Sequence, residues 1–356
     1  MAVYTAVDKS TDYFESKLYT GNGGTNNITG LDFQPDWCWL KSRSAGYEHA
    51  WYDAPRGATQ DLSSSTDEQE QDFNTKLTAF NSDGFSLGSN AGVNNNTTTY
   101  ASWNWKANGQ GSSNTAGSIN STYTSASTTS GVSIVTYSGN GSAGATVGHG
   151  LGKTPTMMIV KCRSAAGEDW MVYHEALGPT KHMSINNANA PATATTSWND
   201  TAPTSTLFSL GSNGKVNGSG KTYGAWIFTD IQGFSKMSEY QGNGNKNGPF
   251  IYCSFAPAFV MCKKYSGADN WMMFTNKISS STGTDGGYNV HSRLLEANGA
   301  GAEQSAGTGD GINFLSNGFK IIEDNGNLNG SGADYIFMAF AENPFVTSTG
   351  IPTTAK

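Results

Sequence analysis

Two glycine-rich stretches end in a lysine and a threonine: Gly218-Ser219-Gly220-Lys221-Thr222 and Gly150-Leu151-Gly152-Lys153-Thr154. A phosphate-cradling loop needs a glycine five positions ahead of the Gly-Lys pair and must open a helix whose N-terminus faces the phosphate. Lys215 and Val147 stand at those positions, Tyr223 begins a strand pattern, and Pro155 follows the other stretch. Neither reads as a nucleotide site. His49, His149, His174, His182 and His291 form no metal-ligand spacing and read as satisfied strand-end or surface residues. No nucleophile elbow occurs. Glu168/Asp169 and Glu323/Asp324 are adjacent carboxylates, but neighbours on a strand point to opposite faces, whereas glycoside hydrolysis needs two carboxyls across one cleft. Asp310-Gly311 and Glu323-Asp324-Asn325-Gly326 offer oxygen ligands without the spacing of a calcium loop. The expectation is a protein with no catalytic residue, no metal and no cofactor, and not an enzyme.

Composition agrees with this. The chain has 356 residues, 21 Lys+Arg and 28 Asp+Glu, a net charge of −7, 14% charged residues and 44 glycines. Acidic balance without basic clusters argues against nucleic acid as a partner. No apolar run is long enough for a spanning helix, so no membrane insertion is expected. The first residues lack the pattern of a secretory signal. Cys38, Cys162, Cys253 and Cys262 form no C-x-x-C pair and read as buried reduced thiols, which suits synthesis in a reducing cytosol.

The strongest signal is internal repetition. Gly-Asn-Gly recurs at Gly21, Gly139 and Gly242, with a proline fourteen to sixteen residues later at Pro35, Pro155 and Pro257. Six residues on stand Lys41, Lys161 and Lys263, and then the aromatics Tyr52, Tyr173 and Phe274. Phe85, Phe208 and Phe319 are followed by Val93-Asn94, Val216-Asn217 and Leu328-Asn329, and then by Tyr100, Tyr223 and Tyr335. Three and five residues after each tyrosine come Trp103 and Trp105, Trp226 and Phe228, Met338 and Phe340. Trp37 and Trp39 lie in the first of the apolar runs between proline and lysine. These repeated aromatics read as core positions, with Trp103, Trp226 and Met338 equivalent. The non-repeated Tyr47, Trp198 and Tyr288 read as candidates for surface contact.

The pattern predicts an all-β fold of three tandem homologous antiparallel β-sandwich modules, jelly-roll or lectin-like. Alternation at Tyr100–Trp105 and Tyr223–Phe228 predicts half-buried strands. Asn217-Gly218 and Asn329-Gly330 read as tight turns, pairing the strand at Phe85, Phe208 or Phe319 as a hairpin with the strand at Tyr100, Tyr223 or Tyr335. Residues 67–77 suit one or two helical turns or a loop. The expected organisation is an N-terminal docking arm (1–17), module 1 (18–109), a Gly/Ser/Thr-rich linker (110–130), module 2 (131–230), module 3 (231–345) and a tail (346–356).

Several of these stretches resemble a known family: Tyr13-Phe14, Lys17 to Gly23, Phe33-Gln34-Pro35-Asp36-Trp37, Ser82 to Phe85, Val147 to Gly152 and Phe340 to Phe345. The family is that of tandem-repeat virion structural proteins of tailed bacteriophages of marine bacteria. The resemblance covers essentially the whole chain and brings no catalytic residue. It implies a tail-fibre or receptor-binding appendage subunit located in the virion and assembled in the host cytoplasm. A capsid decoration or head-fibre protein is the alternative, and a carbohydrate-active depolymerase a third reading of a different class. The implied partners are the chain itself as a homotrimer, other virion proteins, and a host cell-surface glycan or protein. The receptor-binding residues are unknown, and residues 279–309 are the candidate contact loop.

Overall fold

A computed structural model describes residues 4–278, 290–305 and 311–352. The fold is all-β. The first part of the chain forms β1 (Phe14–Thr20), β2 (Asn26–Thr29), β3 (Trp37–Ser42), β4 (Ala50–Asp53), β5 (Gly57–Leu62), β6 (Gln71–Asp72), β7 (Leu77–Asn81), β8 (Gly84–Leu87) and β9 (Thr99–Trp105). The second forms β10 (Ser121–Ser127), β11 (Val132–Ser138), β12 (Ala145–Gly148), β13 (Met157–Cys162), β14 (Met171–His174), β15 (Lys181–Ser184), β16 (Ala192–Thr193), β17 (Leu207–Leu210) and β18 (Thr222–Phe228). The third forms β19 (Ser235–Gln241), β20 (Phe250–Tyr252), β21 (Phe255–Lys264), β22 (Trp271–Thr275), β23 (Val290–His291), β24 (Arg293–Glu296), β25 (Gln304–Ser305), β26 (Ile312–Leu315), β27 (Gly318–Ile321) and β28 (Asp334–Pro344).

Every ladder between these strands is antiparallel, and each part of the chain builds one large and one small sheet. The large sheets run β1-β9-β3-β4-β5-β6, β10-β11-β18-β13-β14-β15-β16 and β19-β28-β21-β22-β24-β25. The small ones run β2-β8-β7, β12-β17 and β20-β27-β26-β23. In each large sheet the strand carrying the spaced aromatics, β9, β18 or β28, lies between the strand that opens the repeat and the strand that follows the proline or, in β21, contains it. Trp103 pairs with Trp39, Trp226 with Ile159 and Met338 with Met261.

The strands expected to be half-buried are buried on both faces. Ala101, Trp103 and Trp105 face a core that also takes Trp37, Trp39, Trp51, Trp170, Trp226, Phe228, Phe259 and Phe340. Tyr100, on the opposite face of β9, stacks at 5.1 Å on Tyr19, which packs against Phe85, Leu77 and Val93 under the small sheet. The large sheet is thus an inner layer with apolar neighbours on either side, which is why nearly all of β9 and β18 is buried.

The expected hairpins do not form. Phe85 lies in a small sheet and Tyr100 in a large one. Between them the chain makes a single helical turn, α1 (Ala91–Asn94), repeated as α3 (Gly214–Asn217) and α4 (Gly326–Asn329); α2 (Thr195–Trp198) has no counterpart among the described residues. Gly218 and Gly330 have φ of −59° and −58°, so these are not glycine-dependent tight turns. Residues 67–77 contain no helix, and β6 lies there instead.

Two boundaries change as well. Residue 17 falls inside β1, which pairs with β9 along its whole length, and Phe14 stacks on Phe340 at 5.1 Å. Thr5 donates to Gln232 O and Asp8 accepts from Ser348. The segment read as an arm is therefore packed on its own chain. The expected linker carries β10, paired with β11. Of the expected contact loop, residues 279–289 and 306–309 lie outside the described residues, and Tyr288 with them.

Candidate functional site

The repeated Gly-Asn-Gly, Val/Leu-Asn and Tyr motifs come together in space. Asn94, Asn217 and Asn329 end the one-turn helices and are fully buried. Asn217 Oδ1 accepts from Asn140 N, while its Nδ2 donates to Ser142 O and Gly211 O. Asn94 and Asn329 bind the loops at Asn22 and Asn243 in the same way. The loop must come close to the helix end. A Cβ on Gly139 would lie 2.5 Å from Gly218 O, and Gly141 has φ +73°. Tyr223 Oη donates to Gly214 O and accepts from Gly218 N, and Tyr100 and Tyr335 repeat this bridge. At the centre of the motif the three buried amides are satisfied from within.

A second repeated arrangement joins the large sheets. Lys41 Nζ donates to Ala300 O, Lys161 Nζ to Asp67 O and Lys263 Nζ to Ala188 O, at 2.9–3.0 Å. Each ammonium also donates to a carbonyl of its own part of the chain, Ser42, Glu168 or Asp269. At the start of β4, β14 and β22, a ring nitrogen repeats the crossing. His49 Nε2 lies 2.9 Å from Glu296 O, Trp170 Nε1 donates to Ser63 O and Trp271 Nε1 to Ser184 O. The first part thus grips the third, the second grips the first, and the third grips the second. Arg43–Glu303 at 2.6 Å and Arg163–Glu70 at 2.6 Å reinforce two of the three seams. Burial pulls Lys41, Lys161 and Lys263 down to about 8 and His49 to about 3. The carbonyls accept the ammonium protons, so each lysine clasps a neighbouring part of the chain.

All sixteen sequence-selected aromatics, Trp37, Trp39, Tyr52, Phe85, Tyr100, Trp103, Trp105, Tyr173, Phe208, Tyr223, Trp226, Phe228, Phe274, Phe319, Tyr335 and Phe340, are buried. Trp198, read as a surface residue, is also fully buried, with its indole donating to Lys181 O. Of the histidines, His49, His149, His174 and His291 are buried; His174 is pulled down to about 4 by burial. Lys221 of the glycine-rich stretch pairs with Glu168, and Lys215 with Asp169. Those adjacent carboxylates are structural ion-pair partners. Asn325 caps α4. The four cysteines are free and buried. Among the described residues, no cluster of three or more His, Cys, Asp or Glu could hold a metal ion. No helix there is long and apolar enough to cross a membrane.

The surface of the described residues carries open depressions. One is lined by Glu48, Asp61, Gln69, Gln71, Phe73 and Lys76, where Lys76 neutralises Asp61 at 2.6 Å. The repeated lysine was visible in the sequence without a role. The equivalence of His49, Trp170 and Trp271 was not visible, because a shared ring N–H is a property of geometry and not of residue type.

A family model described as Domain of unknown function (DUF7483) matches residues 9–344. No curated protein matches the chain.

Proposed function

The chain belongs to that family of unknown function, and we propose that it is a non-enzymatic structural protein of a tailed-phage virion, a tail-fibre or receptor-binding appendage subunit. Its framework on this reading is three tandem homologous β-sandwich modules, built on residues 14–105, 121–228 and 235–344, closed into a ring inside one chain. The observation that carries it is the cyclic set of crossings from Lys41, Lys161 and Lys263. Three copies of one clasp, around one tryptophan-rich core, make a rigid body whose repeated motifs are all consumed by structure. Such a body suits a particle component, and the sequence resemblance points the same way.

The ring also bears on assembly. The faces that a trimer of single modules would bury are buried here within one polypeptide. The threefold arrangement is thus supplied by the chain itself, and the homotrimer becomes the alternative. The test of function is to purify intact particles, count the copies of the chain by quantitative mass spectrometry and locate them by immunogold labelling. A few tens of copies at the tail are expected. Hundreds on the shell would move the assignment to capsid decoration, and absence from particles would overturn a virion role.

A further inference from the structure

β12 and β20 are equivalent edge strands of the second and third small sheets. Val147 pairs with Phe208 and Ile251 with Phe319, so Thr146 corresponds to Phe250 and Gly148 to Tyr252. Main-chain groups alternate between the two sides of an antiparallel strand. Ile321 N donates to Pro249 O and Cys253 N to Asn317 O, so the N–H and C=O of Phe250 and Tyr252 point away from β27.

At the second sheet, the chain covers this side itself. Ile119 bridges Val147 in parallel, Ile119 N donates to Thr146 O, Thr146 N donates to Ser118 Oγ, and Ser118 N donates to Thr146 Oγ1. The covering segment comes from residues 106–120, between β9 and β10. Ahead of the third sheet the chain has only residues 229–234, where Ile231 and Phe234 are buried and Ile231 N is bonded to Ser235. That stretch is too short to reach β20 as residues 106–120 reach β12. Phe250 N–H and C=O accordingly have no partner among the described residues, while Tyr252 O accepts from the Lys236 side chain at 2.9 Å.

The side chains differ in the same sense. Four large apolar residues are exposed among the described residues: Tyr4, Phe250, Tyr252 and Ile351. Two of the four therefore stand on this one short edge strand, at 47% and 52% exposure. The first sheet has Asn27 and Thr29 at these positions, with Asn27 bonded to Ser86. An open strand edge bearing large apolar groups is a template for pairing with another chain.

We propose that the β20 edge is a strand-addition site for an extended polypeptide segment of a partner protein. The segment lies parallel to β20, as Ser118–Ile119 lies on β12. It bonds Phe250 N–H through a serine or threonine hydroxyl and Phe250 C=O through the next amide. It also covers the Phe250 and Tyr252 rings. Main-chain bonds supply the affinity in such additions, and neighbouring side chains supply the selectivity.

The experiment uses the full chain and a synthetic peptide of residues 114–120, Asn-Thr-Ala-Gly-Ser-Ile-Asn, the chain's own cover for β12. Millimolar peptide is expected to slow amide exchange at Phe250 about tenfold, leaving the already covered Thr146 amide unchanged. Phe250→Pro removes the outward N–H together with the exposed ring at an edge position, where proline is tolerated. This variant should keep its thermal midpoint and show no peptide binding by titration calorimetry, where the unaltered chain binds. F250N/Y252T, which places the first sheet's residues on an intact backbone, should weaken peptide binding about tenfold. Unchanged exchange at saturating peptide overturns the proposal, as does equal protection of the double variant. A response of the Phe250 and Tyr252 rings to chitohexaose or cellohexaose, with none to peptide, also overturns it in favour of glycan stacking.

Discussion

Lys161 Nζ lies 2.9 Å from the main-chain oxygen of Asp67, which precedes it by 94 residues. The same donation carries Lys41 to Ala300 and Lys263 to Ala188, so one lysine position per large sheet reaches into a neighbouring part of the chain.

Lys161→Met should destabilise the protein at pH 7 by about 1–3 kcal/mol, because carbonyls of Glu168 and Asp67 lose a donor in a buried place. The pH dependence has a definite sign. The folded-state lysine titrates near 8 and the unfolded one near 10.5. Between these values the unfolded chain binds more protons, so this group makes stability rise with pH there. The wild-type advantage over Lys161→Met should therefore grow above pH 8, by at most about 1.4 kcal/mol per pH unit. Urea denaturation of both proteins at pH 7, 8 and 9 tests this. A difference that stays flat or shrinks would mean that the ammonium is not desolvated.

Asn217→Ala removes the acceptor of Asn140 N and the donor to Ser142 O and Gly211 O. The expected cost is about 2–4 kcal/mol, since each buried partner left unpaired is expensive. Amide exchange at Asn140 should accelerate selectively. A loss under about 1 kcal/mol would show that water replaces the side chain.

Trp226 lies 5.0 Å from Trp51 and 5.4 Å from Trp170 between ring centroids, with the Arg56 guanidinium 5.3 Å from its ring. Trp226→Ala should cost about 3–5 kcal/mol, the scale of a large aromatic removed from a packed core. Calorimetric unfolding is the measurement, and a change below about 1 kcal/mol would exclude a core role.

Removing residues 1–17 should do more than detach a tail. It strips half of β1 from β9 and uncovers Trp105 and Phe340, against which Phe14 packs. Aggregation or a markedly lower thermal midpoint is expected, because an uncovered edge invites pairing with other chains. A truncated protein as stable as the full chain would show that Phe14 is dispensable.

Light scattering of the pure protein should give the mass of one chain, 37.6 kDa. Three times that mass would favour the homotrimer over a ring closed within the polypeptide.

The all-β class and the burial of the spaced aromatics were legible because they rest on local, periodic constraints. Alternation marks a strand, glycine marks close approach, and recurrence at fixed spacing marks a shared environment. Trp103, Trp226 and Met338 were recognisable as equivalent from spacing alone, and their pairing with Trp39, Ile159 and Met261 has one register. The sheet to which each strand belongs was not legible. The motif at Asn94, Asn217 and Asn329 resembles a hairpin turn in sequence, yet one buried amide converts it into a helical turn that carries the chain between layers. Tertiary structure alone decided that both faces of β9 and β18 are buried, because the second face is covered by residues far away in the chain. It also decided the role of Lys41, Lys161 and Lys263. A lysine in an apolar run carries no local sign of its partner, and the carbonyls that hold it, at Ala300, Asp67 and Ala188, have no side-chain signature at all.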